Sequence, residues 1–185
     1  LISGTKQNTI KPNLPACDAQ FAIHGDGWVN AWVPSVVDEN SLTCTYFHQP
    51  THGNFPFEYS AQQRFCATTA GMEITLGIRN ESKTAMPVGL GLHPFFPRGS
   101  ATRLTVNANE LWTPPSNDQP GHHRPTDATT DFRRSNTLPE KGIDHTLLGW
   151  GGTARIENSD GVTTLKSNAP YLHLFAPVGQ AYFCL

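Results

Sequence analysis

Charge is scarce in this sequence: Asp, Glu, Lys and Arg make up 15% of its 185 residues, 13 of them basic and 15 acidic, for a formal net charge of −2. No basic field exists to hold a nucleic-acid backbone or an anionic membrane surface, so neither is an expected partner. Long apolar runs are missing too. There is no stretch of 18 apolar residues, and the opening LISGTKQNTIKPNLP has no charged start followed by an apolar core, so neither a helical membrane span nor a secretory leader is expected and a cytoplasmic location is. Helix-period segments are nearly absent. GxSxG, GxGxxG and the P-loop do not occur, which leaves a nucleophile elbow or a phosphate cradle without an anchor. The four cysteines, Cys17, Cys44, Cys66 and Cys184, are far apart and form no CxxC pair. Neither a zinc site nor a compact disulfide scaffold is suggested, and buried thiols in a reducing compartment are the expectation.

Turn formers are plentiful. The 16 glycines and 15 prolines outnumber the charged residues, which favours short strands over long helices. TCTYFH (43–48), RFCATT (64–69) and MEITLGIRN (72–80) alternate with the period of half-buried strands, and Ala70-Gly71 turns the last two into a hairpin. In VGLGLHPFFP, glycines stand where a strand would want side chains, which suggests a bulged strand or a backbone that a ligand approaches. TRLTVNANELW (102–112) alternates again, residues 113–141 read as a long Pro-rich loop, and TARIEN, VTTLKS, YLHLFAP and AYFCL supply further strands joined by turns such as Ser159-Asp160-Gly161. The expected fold class is all-β, a sandwich of antiparallel sheets spanning 1–185 as a single domain, long enough to bury roughly two thirds of the unfolded surface.

Three constellations could carry chemistry. In AIHGDGWVNAW, His24 precedes two glycines that bracket Asp26, followed by Trp28 and Trp32. Glycine lets backbone approach a ligand, imidazole can donate to a hydroxyl, and an indole face suits the C–H side of a pyranose. A turn holding one buried histidine and two core tryptophans explains the same residues. In GLGLHPFFP, Pro94 holds His93 extended ahead of Phe95 and Phe96, and a satisfied core histidine is the alternative. In GIDHTLLGWGG, Asp144 and His145 open a strand, where a solvated turn would account for them equally. His122 and His123 are neighbours on an extended chain and so point apart, and Pro50 removes the helix that would align His48 with His52, so no metal site is expected at either.

The order of these segments carries more than any one of them. HGDGW, then FPFEYSAQQRF with MEITLGIRN and MPVGLGLHPFFP, then DFR (131–133) and GIDHTLLGWGG, resembles the aldose 1-epimerase (galactose mutarotase-like) family over nearly the whole chain, with residues 55–97 the most specific part and HGDGW similar to its less characterised bacterial branch. The resemblance implies a large β-sandwich that interconverts the α and β anomers of a monosaccharide through an open-chain aldehyde, by proton transfers alone and with no cofactor or metal. It also implies roles. His93 would be the acid facing the ring oxygen and His24 would hydrogen-bond the sugar near it. Asp144 would fix a ring hydroxyl, and Trp28 and Phe95 would line the sugar. His24, His93 and Asp144 are expected to meet in one cleft with Leu185 at its rim. Family members place the base, a Glu, directly after a strand resembling AYFCL, and carry an Arg-bearing strand upstream. This chain is therefore expected to be truncated at both ends and impaired in catalysis, with uncovered sheet edges compatible with a homodimer. A non-catalytic carbohydrate-binding protein of the same fold, and a phosphosugar (hexose-6-phosphate) 1-epimerase drawing on Arg98, Arg103, Arg133 and Arg134, are the alternatives.

Overall fold

The computed structural model describes residues 2–3, 6–7, 10–13, 22–51, 54–115 and 121–185. Cys17 and His52 lie outside them. The described elements are strands, with no helix among them: β1 (Ile2–Ser3), β2 (Lys6–Gln7), β3 (Val33–Asp38), β4 (Ser41–His48), β5 (Tyr59–Thr68), β6 (Gly71–Asn80), β7 (Phe95–Pro97), β8 (Arg103–Val106), β9 (Glu110–Trp112), β10 (His123–Pro125), β11 (Asn136–Thr137), β12 (Ile143–Leu148), β13 (Thr153–Asn158), β14 (Gly161–Lys166), β15 (Tyr171–Ala176) and β16 (Tyr182–Cys184). The expected all-β antiparallel fold is what the chain adopts. Its contacts divide it into two compact units, Leu1–Leu92 and His93–Leu185.

The first unit is built on an antiparallel meander, β3-β4-β5-β6. Its period-2 runs pair as the alternation demands, and the β5–β6 hairpin closes at Thr68 opposite Gly71, whose φ of 144° is a conformation side chains resist. Phe57, Tyr59 and Ala61 are buried here, with His48 stacked on Tyr59 at 4.9 Å.

The second unit is a sandwich. A six-stranded sheet, β10-β9-β12-β15-β16-β7, and a four-stranded one, β11-β8-β13-β14, send Leu111, Leu147, Leu174 and Phe183 from one and Leu104, Val106, Ala154 and Ile156 from the other into a shared core. Each of the larger side chains contributes about 1.5–3 kcal/mol by leaving water. The alternating run 102–112 supplies two strands, because the chain leaves the four-stranded sheet after Val106 and joins the six-stranded sheet at Glu110. Two expectations need correction. The expected loop at 113–141 contains β10 and β11, and Phe132 of its DFR is 1% exposed, so this segment is anchored in the core. VGLGL forms no strand: pairing starts only at Phe95, after Pro94, which has no N–H to donate.

Burying one face of the six-stranded sheet commits the other to solvent, since side chains alternate along each strand. Register then fixes which residues share the exposed face. One row crosses four strands as Phe95, Cys184, Phe175 and Asp144, in which Cys184 is covered while Phe95 and Asp144 are exposed, and the next crosses four as His173, Thr146, Trp112 and His123.

Candidate functional site

Asp144 stands half exposed on this face and accepts a hydrogen bond from His173 Nε2 at 2.9 Å. With that nitrogen protonated, the other, Nδ1, is left to accept from the Thr146 hydroxyl at 3.0 Å, and the imidazole is held from both sides. The His173 donor holds the Asp144 carboxyl below its ordinary value, against the opposing effect of partial burial. An ionised carboxylate can only accept hydrogen bonds, so this one is ready for donor hydroxyls from solvent or ligand. At the other end of the row, the His93 ring stacks on Phe95 with centroids 5.0 Å apart and planes at 28°, and Phe95 touches Tyr182 at 5.2 Å. Phe95 is 63% exposed, a large apolar ring presented to solvent beside a histidine. Three strand spacings, about 14 Å, separate the backbones of Phe95 and Asp144. His145, on the opposite face, is turned toward the core, and burial pushes its pKa down.

The predicted set divides between the units: His93, Phe95 and Asp144 belong to the second, His24 and Trp28 to the first. In the first unit the His24 loop is tightly organised. Asn13 brackets it, its Nδ2 donating to the carbonyls of Ile23 and Gly25 and its Oδ1 accepting from the Ile23 N–H. Trp28 donates to the Ile23 carbonyl at 2.8 Å and Trp32 to that of Gly27 at 2.6 Å. His24 itself is exposed, in edge contact with Trp28 at 5.7 Å, and has a φ of 57°. A non-glycine residue in that left-handed region costs of order 1–3 kcal/mol, and such strain concentrates at ligand-binding positions. The structure therefore corrects the buried-histidine alternative for this motif: Trp28 is 47% exposed and His24 faces solvent. Asp26 turns the other way, to within 3.3 Å of Nδ1 of the buried His48, whose Nε2 is 2.8 Å from the Phe55 carbonyl oxygen.

Sequence reading passed over His173 and Trp112. The signal was available in YLHLFAP, where alternation puts Tyr171, His173 and Phe175 on one face, but which strand pairs with it is a tertiary fact. The cations a phosphate would call on are largely engaged elsewhere: Arg98 donates to the carbonyls of Pro177 and Pro139, Arg103 to Ser135, and Arg133 to Asp131. His122 and His123 point apart as expected, His122 to Thr113 and His123 to Glu110. Cys184 is buried, which pushes its thiol up to about 11, while Cys44 and Cys66 are partly buried, all three as free thiols.

The described residues thus define an antiparallel β-sandwich whose open sheet face combines exposed aromatic rings with a histidine-held carboxylate. The comparisons identify the family. The model of the family described as Aldose 1-epimerase matches residues 4–183, and the chain belongs to that family. It is 28% identical over 167 residues to the uncharacterized protein YphB of Escherichia coli (strain K12), covering 89% of this chain and 56% of that protein. Among solved structures, a candidate aldose 1-epimerase from Escherichia coli K12 superposes with a TM-score of 0.87 at 25% identity, over 99% of this chain and 65% of that one. A galactose mutarotase-like protein from Lactobacillus casei ATCC 334 shares the fold with a TM-score of 0.69 at 22% identity, over 83% of this chain and 59% of that one. The chain thus spans a little over half to two thirds of the length of these relatives.

Proposed function

We propose that the protein binds a free aldose and takes part in the interconversion of the sugar's anomers. The observation that carries this is an ionised Asp144, oriented by His173, on the same exposed sheet face as Phe95 with its stacked His93. Asp144 accepts hydrogen bonds from ring hydroxyls. Phe95 offers its ring to the C–H side of the sugar. His93 is the acid. A base takes the proton of the C1 hydroxyl, its oxygen electrons form the C1 carbonyl, the bond from C1 to the ring oxygen breaks, and that oxygen takes a proton from His93. Rotation about C1–C2 and the reverse steps close the ring on its other face. Only protons move, and imidazole titrates near neutral pH, which suits it to the exchange.

The resemblance assigns the base to a Glu following Leu185. Polarimetry on freshly dissolved α-glucose and α-galactose tests the reading, comparing the chain as it stands, the chain with a Glu added after Leu185, and the latter carrying His93→Ala. The added Glu should accelerate mutarotation and His93→Ala should remove about 10²- to 10⁴-fold of that gain, the usual contribution of one positioned proton-transfer group. A folded, extended chain no faster than buffer with either sugar removes the epimerase reading for them. Binding without acceleration would instead mark a carbohydrate-binding protein.

A further inference from the structure

The exposed sheet face does not stop at Asp144 and His173. Directly opposite Thr146, one strand further out, stands Trp112, and opposite Trp112 on the edge strand stands His123. Trp112 is 47% exposed although its neighbour Leu111 is fully buried, so its indole is presented to solvent by a strand firmly anchored on the other side. The ring is also held in place. A Cβ on Gly121 would lie 2.6 Å from the indole Nε1 and 2.5 Å from the Thr113 carbonyl oxygen, so the bare glycine is what lets the indole edge lie where it does. Thr113 and His122 clamp the two strands just beyond it through Thr113 N–H to the His122 carbonyl at 3.0 Å and His122 N–H to the Thr113 hydroxyl at 3.2 Å. Beside the indole, Glu110 pairs with His123 Nε2 at 3.2 Å, both about half exposed. This repeats, one strand pair along, the carboxylate–imidazole pairing of Asp144 with His173.

Two polar pairs of the same kind therefore flank one fixed aromatic surface. Neighbouring strands are about 4.8 Å apart, close to the width of a pyranose ring, so a sugar at Asp144 and His173 leaves the next ring of a glycan over Trp112. We propose that Trp112, with Glu110 and His123, forms a second sugar subsite. The ligand class is then a disaccharide or longer oligosaccharide with a free reducing end, its reducing ring at Asp144 and its next ring stacked on the indole. This rests on the reading of Asp144 and His173 as sugar-binding, and a rigid exposed aromatic beside hydrogen-bonding groups that accept and donate is the chemistry a second pyranose would recognise.

Calorimetric titration of the chain with glucose, galactose, maltose, cellobiose and lactose, paired with saturation-transfer NMR, tests it. At least one disaccharide should bind about tenfold more tightly than its reducing monosaccharide, the size expected of one aromatic contact, with saturation transferred to the protons of both rings. Trp112→Ala should erase that advantage and leave monosaccharide affinity unchanged, and Trp112→Phe should keep part of it. Should Trp112→Ala fail to fold, as judged by its melting transition, Trp112→Phe and His123→Ala carry the comparison. Disaccharides that bind no more tightly than monosaccharides, or a Trp112→Ala loss equal for both, overturn the subsite and leave the reading at Asp144 intact. Trp112-dependent disaccharide binding without monosaccharide binding keeps the subsite and removes the monosaccharide reading, and no binding of any sugar overturns both.

Discussion

Asp144 and His173 are 29 residues apart in sequence and 2.9 Å apart in space, and what each can do depends on the other. The imidazole keeps the carboxylate ionised to lower pH than an unpaired Asp, and the carboxylate with Thr146 fixes the imidazole's tautomer. Because the Asp144 carboxyl is depressed in the folded state, the linked stabilisation is present above the unfolded carboxyl value of about 3.9 and is lost as pH falls through the folded one. We expect His173→Ala to move the Asp144 titration upward toward an ordinary carboxylate, read by carbon-detected NMR, and to weaken sugar binding on the acid side of neutrality. An unmoved titration would mean that His173 does not set the charge of Asp144. Of this pair, Asp144 was legible as a candidate from GIDHTLLGWGG. His173 was not, since a lone histidine in a strand gives no hint of its partner.

Among the elements, the hairpins were the most legible, because alternation and turn chemistry are local. β5 and β6 lie where RFCATT and MEITLGIRN place them, and β13 and β14 meet across Ser159-Asp160. The anchoring of the segment at 113–141 was less legible for the converse reason: Phe132 and Leu138 are isolated core side chains, and the Phe132 carbonyl accepts from Val106 N–H at 2.8 Å. Two isolated buried residues in a Pro-rich stretch have no periodicity to betray them. Phe132→Ala should destabilise the second unit by about 3–5 kcal/mol, measured by urea unfolding, as full truncation of a core aromatic does. A cost near zero would show that the segment is held by its polar turns, such as the Asp127 carboxylate accepting from Thr129 and Thr130, instead of by the core.

On the scale of the whole molecule, a net charge of −2 and the engagement of Arg98, Arg103 and Arg133 in internal bonds argue for an uncharged ligand. Affinity for a neutral sugar should then vary less than about twofold between 50 and 500 mM salt, whereas a phosphosugar would lose affinity steeply as its charge is screened. Titrations at the two ionic strengths separate these readings. The sequence by itself determined the all-β class, because this follows from composition and from patterns within ten or so residues, and the order of its motifs along nearly the whole chain carried the resemblance to the aldose 1-epimerase family. Only the tertiary structure decided that β9 and β15 flank β12, and hence that Trp112, Thr146, His173 and Asp144 share one exposed face. Pairing between distant strands is chosen by which faces bury together, and that choice is made by the core they form and not by any residue's immediate neighbours.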